Sequence, residues 1–335
     1  MATLTSSTSA YNLAEMAKRM DPSGDTVVIA EVLTEVNEML LDAPWFPSND
    51  TFAHKVVRRL SRPTGTWRKI NEGVATEASR TVEAWETIGM LETYSEIDVE
   101  LINNAPNPKE ARMAEARSFL EGLSEHLADT LLYGSTEDSP EEFTGFSPRM
   151  GVLVTSDNVL DGGGSSSDTT SVFVVQWGQG QVFMIYPKNS APNVGIKHQD
   201  LGEQTVSPAV SSNKHTTSQF QAYRDHFQVK AGLVVKDPRC IGRIANIEVS
   251  GATNLFDEDD LITLLIRMKG GGKGASIYVN KVVMTQMQIA LKDKNNVHYT
   301  AAGGEGLAGE PVVRFMGHPV RQMDAILTSE TAISA

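Results

Sequence analysis

The period of the hydrophobic positions changes several times along this chain, and each change predicts an element. Between residues 26 and 41, Ile29, Val32, Leu33, Val36 and Leu40 recur at spacings of three and four around Glu31, Glu35 and Glu38. That is the pattern of an amphipathic helix, which Pro44 and Pro47 would end. From Leu91 the period shortens to two. Leu91, Ile97, Val99 and Leu101 share one parity and Glu92, Glu96, Asp98 and Glu100 the other, predicting a half-buried strand with an acidic open face. Turn residues at Pro63-Thr-Gly65 and Asn71-Glu-Gly73 precede it, so residues 51–101 read as a long two-stranded excursion with little core of its own. Asn107-Pro108-Lys-Glu110 then opens a helix with a good cap and proline in its first turn. Its stripe of Met113, Ala116, Leu120, Leu123, Leu127 and Leu131 runs to Gly134, where glycine is expected to stop it. About 26 residues at ~1.5 Å each make a beam of roughly 39 Å.

Beyond Gly145 strands dominate. Val172–Trp177 and Gln181–Tyr186 flank Gly178-Gln-Gly180, a hairpin signature. Phe227, Val229, Ala231, Leu233 and Val235 alternate with polar neighbours, another strand. Asp257–Asp260 precede a helical pattern over Leu261–Met268, and Gly162–Ser167 and Gly270–Gly274 read as loops. Residues 1–24 are polar and small apart from Leu13, Met16 and Met20. They carry no basic start and no apolar stretch of a secretory signal, and no apolar run reaches the ~18 residues that cross a bilayer. A non-membrane protein made in the cytoplasm is expected.

Charge alters this picture in two ways. The chain carries 29 Lys and Arg against 42 Asp and Glu, a formal charge of −13, which argues against a surface built to neutralise phosphates. Within the excursion the charges are also segregated. Lys55, Arg58, Arg59, Arg62, Arg68 and Lys69 lie in residues 51–70, which contain no acid. Residues 71–100 hold Glu72, Glu77, Glu83, Glu86, Glu92, Glu96, Asp98 and Glu100 against Arg80 alone. Either the two stripes neutralise each other as a hairpin, or a protruding arm uses them to dock on a neighbour.

Patterns that suggest chemistry fail on their context. Gly304-Glu-Gly306-Leu-Ala-Gly309 has the letters of a dinucleotide fingerprint, but a strand-like Glu310-Pro311-Val-Val-Arg-Phe follows where a helix must receive the pyrophosphate. Gly270-Gly-Gly-Lys273 follows a predicted helix where a phosphate loop would precede one, and Arg267 and Gly274 replace required residues. Residues 157–168 have the outline of a calcium loop, but Val159 stands where oxygen is needed and Asp168 is a poor bidentate ligand. Histidines 54, 126, 198, 215, 226, 298 and 318 show no metal spacing. Cys240 is the sole cysteine, excludes an internal disulfide, and reads as a small buried residue in a reducing compartment. No catalytic, cofactor or metal residue is expected.

The order of segments resembles the major capsid proteins of tailed double-stranded DNA phages, which share the Hong Kong 97-type α+β fold. Local phrases carry the likeness: Leu131-Leu-Tyr-Gly134, Pro140-Glu-Glu-Phe143-Thr-Gly145, Val182-Phe-Met-Ile-Tyr186-Pro-Lys, Gly232-Leu-Val-Val-Lys-Asp237-Pro-Arg239, Arg243-Ile-Ala-Asn246-Ile and Gly317-His-Pro-Val-Arg321-Gln-Met-Asp324. The likeness is nearest to short-tailed, epsilon-fifteen-like phages. It implies an N-terminal arm (1–50), an extended loop (51–101), a peripheral domain with the spine helix (102–159), an axial domain (160–300) and a C-terminal return (301–335). It also implies a homo-oligomer of pentamers and hexamers in the virion, with separate scaffolding and portal proteins, a possible small accessory clamp, and no specific nucleic-acid or membrane binding. The Lys–Asn crosslink of some relatives has no matching positions here. Because the family's extended loop lies across a neighbour, Lys55, Arg58, Arg59, Arg62, Arg68, Lys69, Glu83, Glu86 and Glu92 become the candidate intersubunit residues. An encapsulin-type compartment shell and, in a different class, a nucleotide-binding enzyme are the alternatives.

Overall fold

The computed structural model describes residues 37–105, 107–153, 158–165, 167–188, 196–206, 219–251, 253–291, 299–302 and 312–334. In chain order its elements are α1 (Glu38–Asp42), β1 (Trp45–Pro47), β2 (Ala53–Ser61), β3 (Arg80–Thr87), β4 (Gly89–Asp98), α2 (Val99–Asn103), α3 (Pro108–Tyr133), α4 (Phe146–Arg149), β5 (Val159–Asp161), β6 (Thr169–Gln176) and β7 (Val182–Tyr186). There follow β8 (Lys197–Val206), β9 (Phe220–Val235), β10 (Ile241–Glu248), α5 (Glu258–Arg267), β11 (Ala275–Val279), α6 (Lys281–Leu291), β12 (Tyr299–Ala302), β13 (Val312–Phe315) and β14 (His318–Gln322). The described residues form two compact units, one of 90–127 and 196–230, the other of 37–89, 128–188 and 231–334.

In the first unit β8 pairs antiparallel with β9, Lys197 opposite Gln228 and Val206 opposite Phe220, with a register shift between Asp200 and Glu203. Gly202 lies there at φ 71°, a conformation that favours glycine. Phe227 is fully buried, with Phe119 of α3 stacked at 5.6 Å and His198 at 4.8 Å. The alternation predicted around Phe227 is present, in a strand that begins earlier, at Phe220. The acidic alternation is present only as far as Asp98. There the chain turns into α2, with the Asp98 carboxylate accepting from the Glu100 amide, so Val99 and Leu101 are helical.

The second unit is built on a seven-stranded sheet of order β12-β13-β14-β11-β6-β10-β5. Val172, Val174, Ile244 and Ile277 of its central strands pack with Leu261, Leu264 and Leu265 of α5 and Val283 and Met287 of α6. Asp257 caps α5 by accepting from the Asp259 amide, as the acidic run at that helix start leads one to expect. The hairpin expected across Gly178-Gln-Gly180 is not formed. Both strands exist, but β6 joins the seven-stranded sheet, whereas β7 pairs with β1 and with the end of β9. All of β6 and all of β7 except Tyr186 are buried, so each strand needs partners on both edges, and the turn passes the chain from one sheet to the other.

Three further expectations are corrected. Asn37 sits at φ −121° in a bridge to Met323, so a continuous helix over 26–41 does not pass through it, and residues 26–36 lie outside the described set. The helix from Pro108 to Tyr133 is as predicted in extent, but Met113 at the head of its stripe is exposed. Gly134 ends it by close packing instead of a left-handed turn. A Cβ there would stand 2.5 Å from the Thr130 carbonyl, and one on Gly145 2.7 Å from that of Leu131, while the Gly145 amide donates to the Gly134 carbonyl at 2.8 Å.

Candidate subunit interface

Strands β2 and β3 form a two-stranded sheet by themselves, with Ala53 opposite Thr87 and Arg59 opposite Thr81. Every residue from Arg59 to Glu83 is exposed. An isolated two-stranded ribbon with no buried face has little to hold it in water. Its order is secured at the base, where Val56 and Ile88 pack with Phe46, Phe183, Ile185 and Val234. His54 sets its ring edge-on to Phe183 at 5.5 Å, and burial holds its pKa below the ordinary value.

The charged residues divide into two groups. Glu86, 7% exposed, receives both ends of the Arg149 guanidinium at 2.9 and 2.6 Å. Arg149 is itself held by the Thr144 and Gly145 carbonyls. Arg58 donates to the carbonyls of Lys236, at 3.1 Å, and Val235, and lies 3.8 Å from Glu86. These charges anchor the arm within the subunit. Lys55, nearer the base than Arg58, pairs with Glu83 at 2.8 Å and lies over the Trp85 ring. Arg59, Arg62, Arg68 and Lys69 are exposed and pair with none of the candidate acids. Arg68 donates to the Glu72 carbonyl, and the Glu77 carboxylate accepts from the Thr64 and Gly65 amides. Glu92 stands apart on β4, accepting from Gln228 and lying 3.2 Å from His226.

The end of the arm is also apolar. Trp67 is 102% exposed and Ile70 90%, and a turn from Lys69 to Glu72 with Asn71 at φ 68° presents them. Isolated exposed apolar residues are ordinary; here a tryptophan and an isoleucine stand three positions apart at the end of a coreless ribbon. The family model described as major capsid protein GP7 matches residues 21–334.

The chain belongs to that family.

A solved structure of bacteriophage Epsilon15 agrees, with 28% identity, full coverage of both chains and a TM-score of 0.75. The Hong Kong 97-type fold and the likeness to epsilon-fifteen-like phages are thereby borne out. The SrpI encapsulin of Synechococcus elongatus PCC 7942 is 10% identical over 68% of this chain and 93% of its own, at a TM-score of 0.45, and the bacteriophage JBD30 capsid 11% over 89% and 99%, at 0.42. Neither likeness is strong enough to bear on function. No curated protein matches.

In this major capsid protein several of the phrases that carried the resemblance hold side chains that join distant parts of the second unit. Arg243, 3% exposed, donates to Glu330 at 3.0 Å, to Ser171 and Ser147, and to the Met150 carbonyl. Glu330 also accepts from Ser171 and Tyr133, and burial beside that carboxylate pushes the Tyr133 phenol far above its ordinary pKa. Asn246, at φ 60°, exchanges two hydrogen bonds with the Ile333 backbone. Together these clasp the chain's last residues to the sheet. Asp237 caps the turn Pro238–Cys240 and is held far below the carboxylate range, chiefly by its bond from Arg239, with Lys269 adding. Arg321 pairs with Glu38 and Asp42. Sequence reasoning singled out none of these as partners, although Arg243 and Asn246 stand in a quoted phrase.

The tempting motifs resolve as follows. The segment around Gly306 lies outside the described residues, as does Asp157. Asp161 is occupied by the Gly163 amide and Asn246. Gly270, Gly271, Gly272 and Gly274 all adopt positive φ in turns after α5. Among the described residues no cluster could hold a metal, and no helix is long and apolar enough to cross a membrane.

Proposed function

We propose that this capsid protein assembles in many copies, as pentamers and hexamers, into a closed icosahedral shell around a phage genome, and that its work is mechanical, with no reaction catalysed. The observation that carries this is the arm: a folded ribbon whose residues 59–83 are all exposed and end in an exposed tryptophan is made to be covered by something else. Family membership supplies the rest. In this reading residues 1–50 are the N-terminal arm, 51–101 the extended loop, 102–159 the peripheral domain, 160–300 the axial domain and 301–335 the return. Arg59, Arg62, Arg68 and Lys69 meet acidic surface on a neighbour, whereas Arg58 and Glu86 hold the arm's root. Scaffolding and portal proteins, and a small clamp, act on the shell as it is built in the host cytoplasm. The charge of −13 keeps the wall from gripping DNA.

Electron microscopy of particles from cells making the chain with its scaffold tests this. Closed shells are expected. A stable monomer at high concentration with nicotinamide-dependent activity would overturn the reading, and shells filled with a cargo enzyme would transfer it to a cellular compartment.

A further inference from the structure

We propose that His54 is a proton-operated latch at the root of the arm: its neutral ring holds β2 and β3 to the subunit, and its protonated ring releases them without unfolding the rest. The latch belongs to the single subunit and acts whether or not shells form. The His54 ring stands nearly perpendicular to Phe183 at 5.5 Å, and Phe183 in turn meets Phe46 at 5.3 Å. Nδ1 of His54 is buried there and has no hydrogen-bond partner. In a neutral ring that nitrogen can remain a bare lone pair. In an imidazolium both nitrogens are N–H donors, and a buried N–H without an acceptor is costly. The surrounding charges act in the same sense. Glu86, opposite His54 in the β2–β3 register, already gives its two oxygens to the Arg149 guanidinium, with Arg58 at 3.8 Å. An imidazolium would therefore enter a site where Lys236, Arg58 and Arg149 already outnumber one carboxylate. Burial, and then Lys236, hold the pKa of His54 below the ordinary histidine value, with Glu86 acting the other way.

The effect is local because the arm's hold is local. β2 and β3 form a sheet of their own, and a small cluster of Val56, Ile88, Phe46, Phe183, Ile185 and Val234 fixes its base. Phe183, the ring that His54 touches, belongs to that cluster. The core between the seven-stranded sheet and helices α5 and α6 is a separate one that His54 does not enter. The docked arm binds the proton less readily than the released arm. Its hold is therefore complete above about 6.5, the ordinary histidine value, and weakens as pH falls below it.

Amide hydrogen exchange on the unassembled chain tests this, with protection read against the intrinsic rate at each pH. Between about pH 7.5 and about pH 5.5 the protection of residues 53–61 and 80–87 should fall, by up to about tenfold per pH unit below ~6.5. Protection of β6, β10 and β11 should stay constant over the same range. His54→Phe keeps a ring against Phe183 and cannot take up a proton, so its arm should be equally protected at both ends. Arm protection in the wild type that does not change with pH would overturn the latch. An equal loss in His54→Phe would also overturn it, by moving the effect to another group. So would an equal loss in β6, β10 and β11, because the proton would then be unfolding the whole unit.

Discussion

Replacing Glu86 by alanine separates the root of the arm from its working surface. The Glu86 side chain is buried, faces an Arg149 side chain 17% exposed, and takes two bonds at 2.9 and 2.6 Å. In Glu86→Ala the guanidinium keeps the Thr144 and Gly145 carbonyls but loses its only counter-charge within reach among the described residues. Breaking a buried pair from one side costs about 3–5 kcal/mol. At ~2–4 °C per kcal/mol for a unit of this size, the melting temperature should fall by roughly 6–20 °C. Calorimetry on the unassembled subunit reads this directly. The double variant Glu86→Leu/Arg149→Met should recover most of the loss, because an apolar pair of similar volume has no charge left to desolvate. If Glu86→Ala melts within 1–2 °C of wild type, a shift worth at most ~1 kcal/mol, the root is not held by this pair and the division of charges drawn here is wrong.

Arg59→Glu with Arg62→Glu should leave the melting temperature within about 4 °C, since exposed charges are worth ~0–1 kcal/mol, yet sedimentation should show assembly lost. Gly145→Ala places a Cβ 2.7 Å from two backbone carbonyls and should destabilise by roughly 1–3 kcal/mol or more in denaturant titration. Asp237 has its pKa lowered on folding, so its contribution is present above the unfolded value of ~3.9 and is lost as pH falls toward the lowered one. Asp237→Asn should therefore be less stable than wild type at pH 7, with the two stability curves converging in acid.

Where one physical effect decided an element, the sequence already showed it. The spine helix, the strand through Phe227 and the capped helix after Asp257 each follow from local period and caps. The failures came from tertiary choice. Nothing local tells that β6 and β7, two adjacent buried strands, belong to different sheets, or that a single carboxylate at Asp98 turns an alternating run into a helix. The charge stripes of the arm were legible as composition. Only the fold shows that Arg58 and Glu86 face inward to Val235 and Arg149, leaving Arg59, Arg62, Arg68 and Lys69 outside. The clasp of Arg243 and Glu330 joins residues 87 positions apart, beyond the reach of any pattern.

The central claim, that residues 59–83 form a surface covered by a neighbour in the shell, is tested most directly by limited trypsin digestion followed by mass spectrometry, on free subunits and on assembled shells. The free subunit should be cut at Arg59, Arg68 and Lys69, where the chain is exposed and coreless, and those sites should be protected once shells form. Equal cutting at these positions in shells and in free subunits would contradict the account.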